Sequence, residues 1–183
     1  MKDSSIISKN SKIGENFSIG RFCIIEDDVF IGNNVELGDY SMILSGSTIG
    51  EGTRIGTYTK IHNNVNIGRN CRFVSFCEIR EKCQIGNNVS MGSRCTLSAG
   101  TIVEDQVILK YNFVYTDTPN LSQNDVKTTS VLKRNSRFGA NVTIMPGVTI
   151  GKNSEIGAWS QVRHSVPDNE IWYGNPAKFY KKI

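Results

Sequence analysis

Residues 71–83 read CRFVSFCEIREKC, which sets Cys71, Cys77 and Cys83 at equal intervals of six. Evenly spaced thiols suggest a metal site or a redox relay. Stepping outward from them shows a simpler cause. From Ile7 onward every sixth residue is apolar: Ile7, Ile13, Ile19, Ile25, Ile31 and Leu37, continuing through Phe73, Ile79, Ile85 and Met91 to Tyr115. A second series, shifted by one residue, runs Leu132, Phe138, Ile144, Ile150, Ile156, Val162. Two positions before most of these stands a small or slim residue, among them Ser41, Thr53, Val65, Val89 and Thr101. All five cysteines, Cys23, Cys71, Cys77, Cys83 and Cys95, occupy that slot. A free cysteine packs as a small hydrophobe, so the thiol spacing is the repeat spacing. Thiolates holding a metal there would put charge inside an apolar shaft. The thiols are expected to be buried, reduced and unligated.

A period of six with alternate residues inward means short strands joined by corners, three hexads to a coil of eighteen residues. Successive coils then stack as parallel sheets, giving about eight coils and a prism roughly 40 Å tall. Corners need residues that tolerate left-handed backbone angles. The column Asn16, Asn34, Gly52, Asn70, Asn88 supplies them. The domain reading is a β-helix over 1–165, interrupted by a loop at 116–131, with a C-terminal cap over 166–183.

At 183 residues, with 21 Lys+Arg against 17 Asp+Glu, the chain carries a net charge of +4. That is too mild for the basic stripe of a nucleic-acid binder. No stretch reaches transmembrane length, and the first residues lack an apolar signal core. The expectation is a soluble, cytoplasmic protein with neither nucleic-acid nor membrane partners. An odd number of cysteines counts against a secreted disulfide framework.

The period breaks twice. Between Tyr115 and Leu132 lies TDTPNLSQNDVKTTSV, polar and turn-rich; an interruption of so regular a coil reads as functional, against the plainer account of a tolerated surface insertion. At the end, HSVPDNEIWYGNPAKFYKKI stops the coil at Val166-Pro167. An open solenoid end needs a cap, while Lys178, Lys181 and Lys182 could also meet an anion.

On these residues the chain resembles the hexapeptide-repeat, left-handed β-helix acyltransferases over nearly its whole length. The coils IGNNV and IGKNSEIGAWSQV, the loop and the ending VPDNEIWYGNPAKF carry the likeness. The fold class implied is all-β, a left-handed parallel β-helix. From Ile49 onward, IGEGTRI, GTIVEDQV, VLKRNSRFGANVTI and GVTIGKNSEIGA are most similar to bacterial nucleotide-aminosugar N-acetyltransferases. The resemblance implies a homotrimer using acetyl-CoA as co-substrate, without a metal, on a nucleotide-sugar substrate. Carried over residue by residue, Gly139, Ala140, Gly157 and Ala158 would offer backbone groups to the pantetheine arm, and Lys178 with Arg163 would face the phosphates. Two segments depart from that branch: Gly92-Ser93-Arg94 stands where it has Gln-Asn-Asn, and Gly56-Thr57 where it has Trp-His.

Two histidines are too few for the three-histidine zinc site of related hydration enzymes. His62 is the candidate general base, in the column Leu44, His62, Arg80, Ser98, Thr116, about 14 Å below the loop. Arg80, Asn112 and Asp117 are the candidate acceptor contacts, each with a plainer reading as a corner or turn residue. A hydroxyl attacking a thioester needs a base as it attacks, whereas a neutral amine does not. With no obvious base in the sequence, the leading expectation is an acetyl-CoA-dependent N-acetyltransferase acting on a nucleotide-linked amino sugar. The alternatives are a sugar O-acetyltransferase with His62 as base and a non-catalytic scaffold.

Overall fold

The computed structural model describes residues 4–117 and 130–183, so most of the interrupting loop, 118–129, lies outside the described residues. Twenty-five two-residue strands, β1 (Ile6–Ile7) through β25 (Gln161–Val162), deal in turn onto three parallel sheets. Sheet I holds nine strands, from β1 to β25, and sheet II eight. Sheet III holds ten, because β26 (Glu170–Tyr173) and the antiparallel β27 (Lys178–Lys182) extend its last edge as the cap. Each strand pairs with the residue one coil on, as Lys60↔Glu78 and Ile61↔Ile79, so the expected columns are real. Across the loop the pairing jumps: Ile102 meets Val131. Strand β20 (Val131–Leu132) thus takes up the coil inside the stretch 116–131 assigned to the loop, with Ser130 already buried in the small-residue slot.

The shaft is filled by the hexad aliphatics, with Ile43, Ile49, Ile61, Ile79, Met91 and Leu97 all fully buried. The small-residue slot closes hydrogen bonds to the next coil. Ser41 Oγ donates to Gly56 O at 3.0 Å, Thr53 Oγ1 to Gly68 O at 3.0 Å and Cys71 Sγ to Gly86 O at 3.1 Å. Serine, threonine and cysteine are interchangeable there because each is small and carries one donor. All five cysteines are buried free thiols, and no cluster of metal ligands occurs among the described residues. Where a glycine follows the aliphatic on sheets II and III it has a steric reason: a Cβ on Gly56 would lie 2.1 Å from Val74 O in the coil above.

The corners are less uniform than expected. The II–III corner carries the asparagine column, with Asn16 Nδ2 donating to Asn34 Oδ1 at 3.2 Å and Asn153 Nδ2 to Asn169 Oδ1 at 2.8 Å. The III–I corner instead places Phe22, Tyr40, Tyr58 and Phe76 at φ between 55° and 61°. Aromatic residues are costly in this region, and stacking offsets the cost. Ring centroids follow at 5.0, 4.8 and 5.0 Å, nearly parallel, and the Arg94 guanidinium covers the end of the column 5.8 Å from the Phe76 centroid.

Candidate functional site

His62, Arg80 and Asp117 share the I–II corner. His62 follows β10 (Lys60–Ile61); its N–H donates to Ile79 O, and its carbonyl accepts from Ser47 Oγ at 2.8 Å. With its backbone held from both sides, its ring Nε2 meets Glu78 Oε1 at 2.9 Å. The histidine side chain is 16% exposed, against 44% for the glutamate. In the neutral imidazole, a proton on Nε2 donated to this carboxylate leaves Nδ1 as the nitrogen with the lone pair. Arg80 lies one coil on, its Nε 3.2 Å from Glu81 Oε2. The Glu81 carboxylate, with Glu78 and Asp117 adding their charge, raises the guanidinium's already high pKa. His62, Arg80 and Asp117 thus lie on one corner, with Arg80 and Asp117 close enough for their charges to be felt.

Asn112 does not join them. It lies on the III–I corner, where its Nδ2 donates to Asn141 Oδ1 at 3.0 Å. Gly139, Ala140, Gly157 and Ala158 lie on that same corner, one and two coils further along. The two glycines are required by stacking alone: a Cβ on Gly139 would come within 2.4 Å of Ala158 N, and one on Gly157 within 2.7 Å of Tyr173 Cβ. Their N–H groups are also used, by Ile156 O and Trp172 O, each at 2.8 Å. The alanine amides differ. Lower on this corner the Arg21 N–H donates to Asp39 Oδ1 at 2.8 Å, but Ala140 has only Ala158 above it, without a side-chain acceptor. Among the described residues, the amides of Ala140 and Ala158 meet no hydrogen-bond acceptor.

Arg163 belongs to the I–II corner, yet its side chain turns back across sheet I to place Nε 2.7 Å from Gln161 Oε1. Lys178 opens β27 opposite Tyr173, exposed beside the upper end of the III–I corner. The departing segments Gly56-Thr57 and Gly92-Ser93-Arg94 fall on the III–I corner as well, below Asn112. The candidate residues of one prism thus fall on two corners separated by sheet I. One corner has an oriented histidine and carboxylates, and the other has open amides with cations above. The Glu78 partner of His62 was missed in the sequence, although the eighteen-residue rise sets Glu78 on Lys60, the residue two before His62.

Two family models match the repeat: "Bacterial transferase hexapeptide (six repeats)" over residues 28–63, 46–81 and 129–164, and "Hexapeptide repeat of succinyl-transferase" over residues 82–114. The chain is similar to the galactoside O-acetyltransferase of Lactococcus lactis subsp. lactis (strain IL1403), 46% identical over 52 residues, 28% of this chain and 25% of that enzyme. It is also similar to a probable macrolide acetyltransferase of Lysinibacillus sphaericus, 48% identical over 65 residues, 36% of each. The matches thus span 25% and 36% of those relatives' lengths. Among solved structures, a UDP-N-acetylglucosamine acyltransferase from Bacteroides fragilis 9343 superposes with a TM-score of 0.87 at 19% identity, over 100% of this chain and 74% of that one. The Campylobacter jejuni enzyme of the same title gives 0.73 at 19% identity, over 98% and 73%. At these identities the likeness is one of fold.

Proposed function

The chain belongs to the hexapeptide-repeat acyltransferases, and we propose that it moves an acetyl group from acetyl-CoA to a hydroxyl of a sugar, with His62 as general base. The observation that carries this reading is the 2.9 Å contact between His62 Nε2 and Glu78 Oε1. The amine acceptor expected from the sequence rested on the resemblance to nucleotide-aminosugar N-acetyltransferases and, among the residues themselves, on the lack of an evident base. A half-buried imidazole held by a carboxylate removes that premise, because the contact fixes both the tautomer and the ring. His62 Nδ1 takes the hydroxyl proton as the oxygen attacks the thioester carbonyl carbon. The tetrahedral adduct then collapses with cleavage of the C–S bond, and the departing thiolate receives the proton from the imidazolium. An open corner amide, such as that of Ala140 or Ala158, suits the developing oxyanion.

Since base and open amides stand on different corners, the proposal includes a homotrimer in which the I–II corner of one protomer faces the III–I corner of the next. Arg163 and Lys178 then serve the donor phosphates. Arg80 and Asp117 contact the acceptor from the base corner and Asn112 from the other, the acceptor being a nucleotide-linked sugar.

A nucleotide-linked amino sugar remains the second reading, favoured by the carboxylates Glu78, Glu81 and Asp117 gathered near one corner, which suit an ammonium group. Replacing the base separates the two. For a hydroxyl acceptor, His62→Asn should lower kcat by roughly 10²–10⁴ with the KM for acetyl-CoA little changed. Retention of most activity, with the pH profile of the wild type, would overturn the hydroxyl reading in favour of the amine.

A further inference from the structure

Within a single chain, no ring stacking accounts for a tryptophan at position 159. It occupies the III–I corner at φ 60° and is 75% exposed. The two corner positions before it in the column are Asn112 and Asn141, at φ 56° and 59°, a residue type that tolerates the left-handed region. Asparagine there would be cheaper for the fold. The tyrosines and phenylalanines lower on the corner offset their strain by stacking on one another, but Trp159 has no ring partner, and its indole N–H no hydrogen-bond acceptor, among the described residues. Backbone strain kept at a solvent-exposed aromatic without compensation in the fold points to a ligand.

The surroundings state the chemistry of that ligand. Trp159 walls a recess whose other sides include the carboxamides of Asn112, Asn141, Gln161 and Asn175, with Val114 on sheet I. Three of the amides are already turned by partners. Asn112 Nδ2 donates to Asn141 Oδ1, and Gln161 Oε1 accepts from Arg163 Nε. This leaves the Asn112 carbonyl oxygen as an acceptor and the Asn141 and Gln161 amino groups as donors. A flat indole beside paired amide donors and acceptors matches a planar heterocycle that is itself edged with both. The Arg163 guanidinium lies 2.7 Å from the rim residue Gln161, placed for an attached phosphate.

We propose that Trp159 and the Asn112–Asn141–Gln161–Asn175 recess form a nucleobase subsite, the base stacking on the indole and its edge reading the carboxamides. The proposal rests on the reading that this protein uses a nucleotide-bearing substrate. Two sources offer that chemistry, the adenine of the acetyl donor and the base of a nucleotide-linked acceptor.

Binding of bare nucleotides separates the subsite from the acetyl-transfer reading. Adenosine 3′,5′-bisphosphate and uridine diphosphate should each be titrated into the intact protein and followed by tryptophan fluorescence. Trp159→Asn, which retains Trp172, is the control, and its thermal unfolding should be recorded alongside. One nucleotide is expected to quench the wild type and not the variant, with affinity weakened roughly 5- to 150-fold, the range that base–aromatic stacking commands. The variant should melt no lower than the wild type, since asparagine relieves the strain. In turnover, an adenine occupant raises the ratio of KM for acetyl-CoA to that for acetyl-pantetheine in Trp159→Asn; an acceptor base raises the acceptor KM instead. Nucleotide quenching without acetyl transfer from any donor would sink the transferase reading and leave the subsite standing. Absence of quenching by both nucleotides, or a variant that melts lower while binding them equally well, overturns the subsite.

Discussion

Cys83 shows how a residue chosen for packing acquires a titration behaviour. It is fully buried, its Sγ donating to Ser98 O at 3.2 Å, and burial pushes its thiol pKa from 9.0 up to about 11. At Cys95 the adjoining Cys77 sulfur, together with burial, pushes the thiol up as well. A raised thiol pKa means that the unfolded chain loses this proton before the folded one does. The stability it contributes is complete below pH 9 and is lost as the pH climbs through about 11. Denaturant titrations at pH 7.5, 9 and 10.5 should show a fall that is larger by about 2 kcal/mol in the wild type than in Cys83→Val, where the other raised thiols still titrate. Val65 already fills the same slot one coil below, so the variant should fold. Equal falls in both proteins would mean that the thiol is not held neutral. The thiols' packing role was legible in their spacing, because six is the period of everything else in the shaft. The orientation of His62 was not, since a hydrogen bond to Glu78 depends on how a side chain leans along a sheet.

At the scale of elements, the two-residue strands bury alternate side chains and leave fixation of the prism edges to the corners. The aromatic column on the III–I corner does this by stacking, and Tyr58 is its centre, at 4.8 Å from Tyr40 and 5.0 Å from Phe76. Tyr58→Ala removes two ring contacts and leaves a Cβ-bearing residue at φ 55°. The expected loss is about 1–3 kcal/mol, read as a shift in denaturation midpoint at constant slope. A change below about 0.5 kcal/mol would mean that the rings rest on one another without stabilising the fold. Periodicity marked these positions as corners, but their conformation had been expected to call for glycine or asparagine. What overrode that preference is the spacing of stacked coils, which sets every eighteenth residue one ring-stacking distance from the last.

For the whole molecule, the separation of the two half-sites by sheet I has a consequence in solution. Light scattering should give the mass of three chains, and mixing His62→Asn with Ala158→Trp, each impaired at a different corner, should restore activity that neither has alone. A monomer at working concentration, or no restoration on mixing, would contradict a site shared between protomers. The same scale divides what could be read from residues alone. The hexad period determined the strands, the columns, the shaft and the break at the loop, because inward and outward positions in a stacked coil depend only on counting along the chain. Proximity across a corner does not. The contact of His62 with Glu78, the removal of Asn112 to another edge and the uncompensated strain at Trp159 were decided by the tertiary structure. Each depends on which of three edges a residue occupies and on what the coil above leaves open, and these are properties of the closed prism.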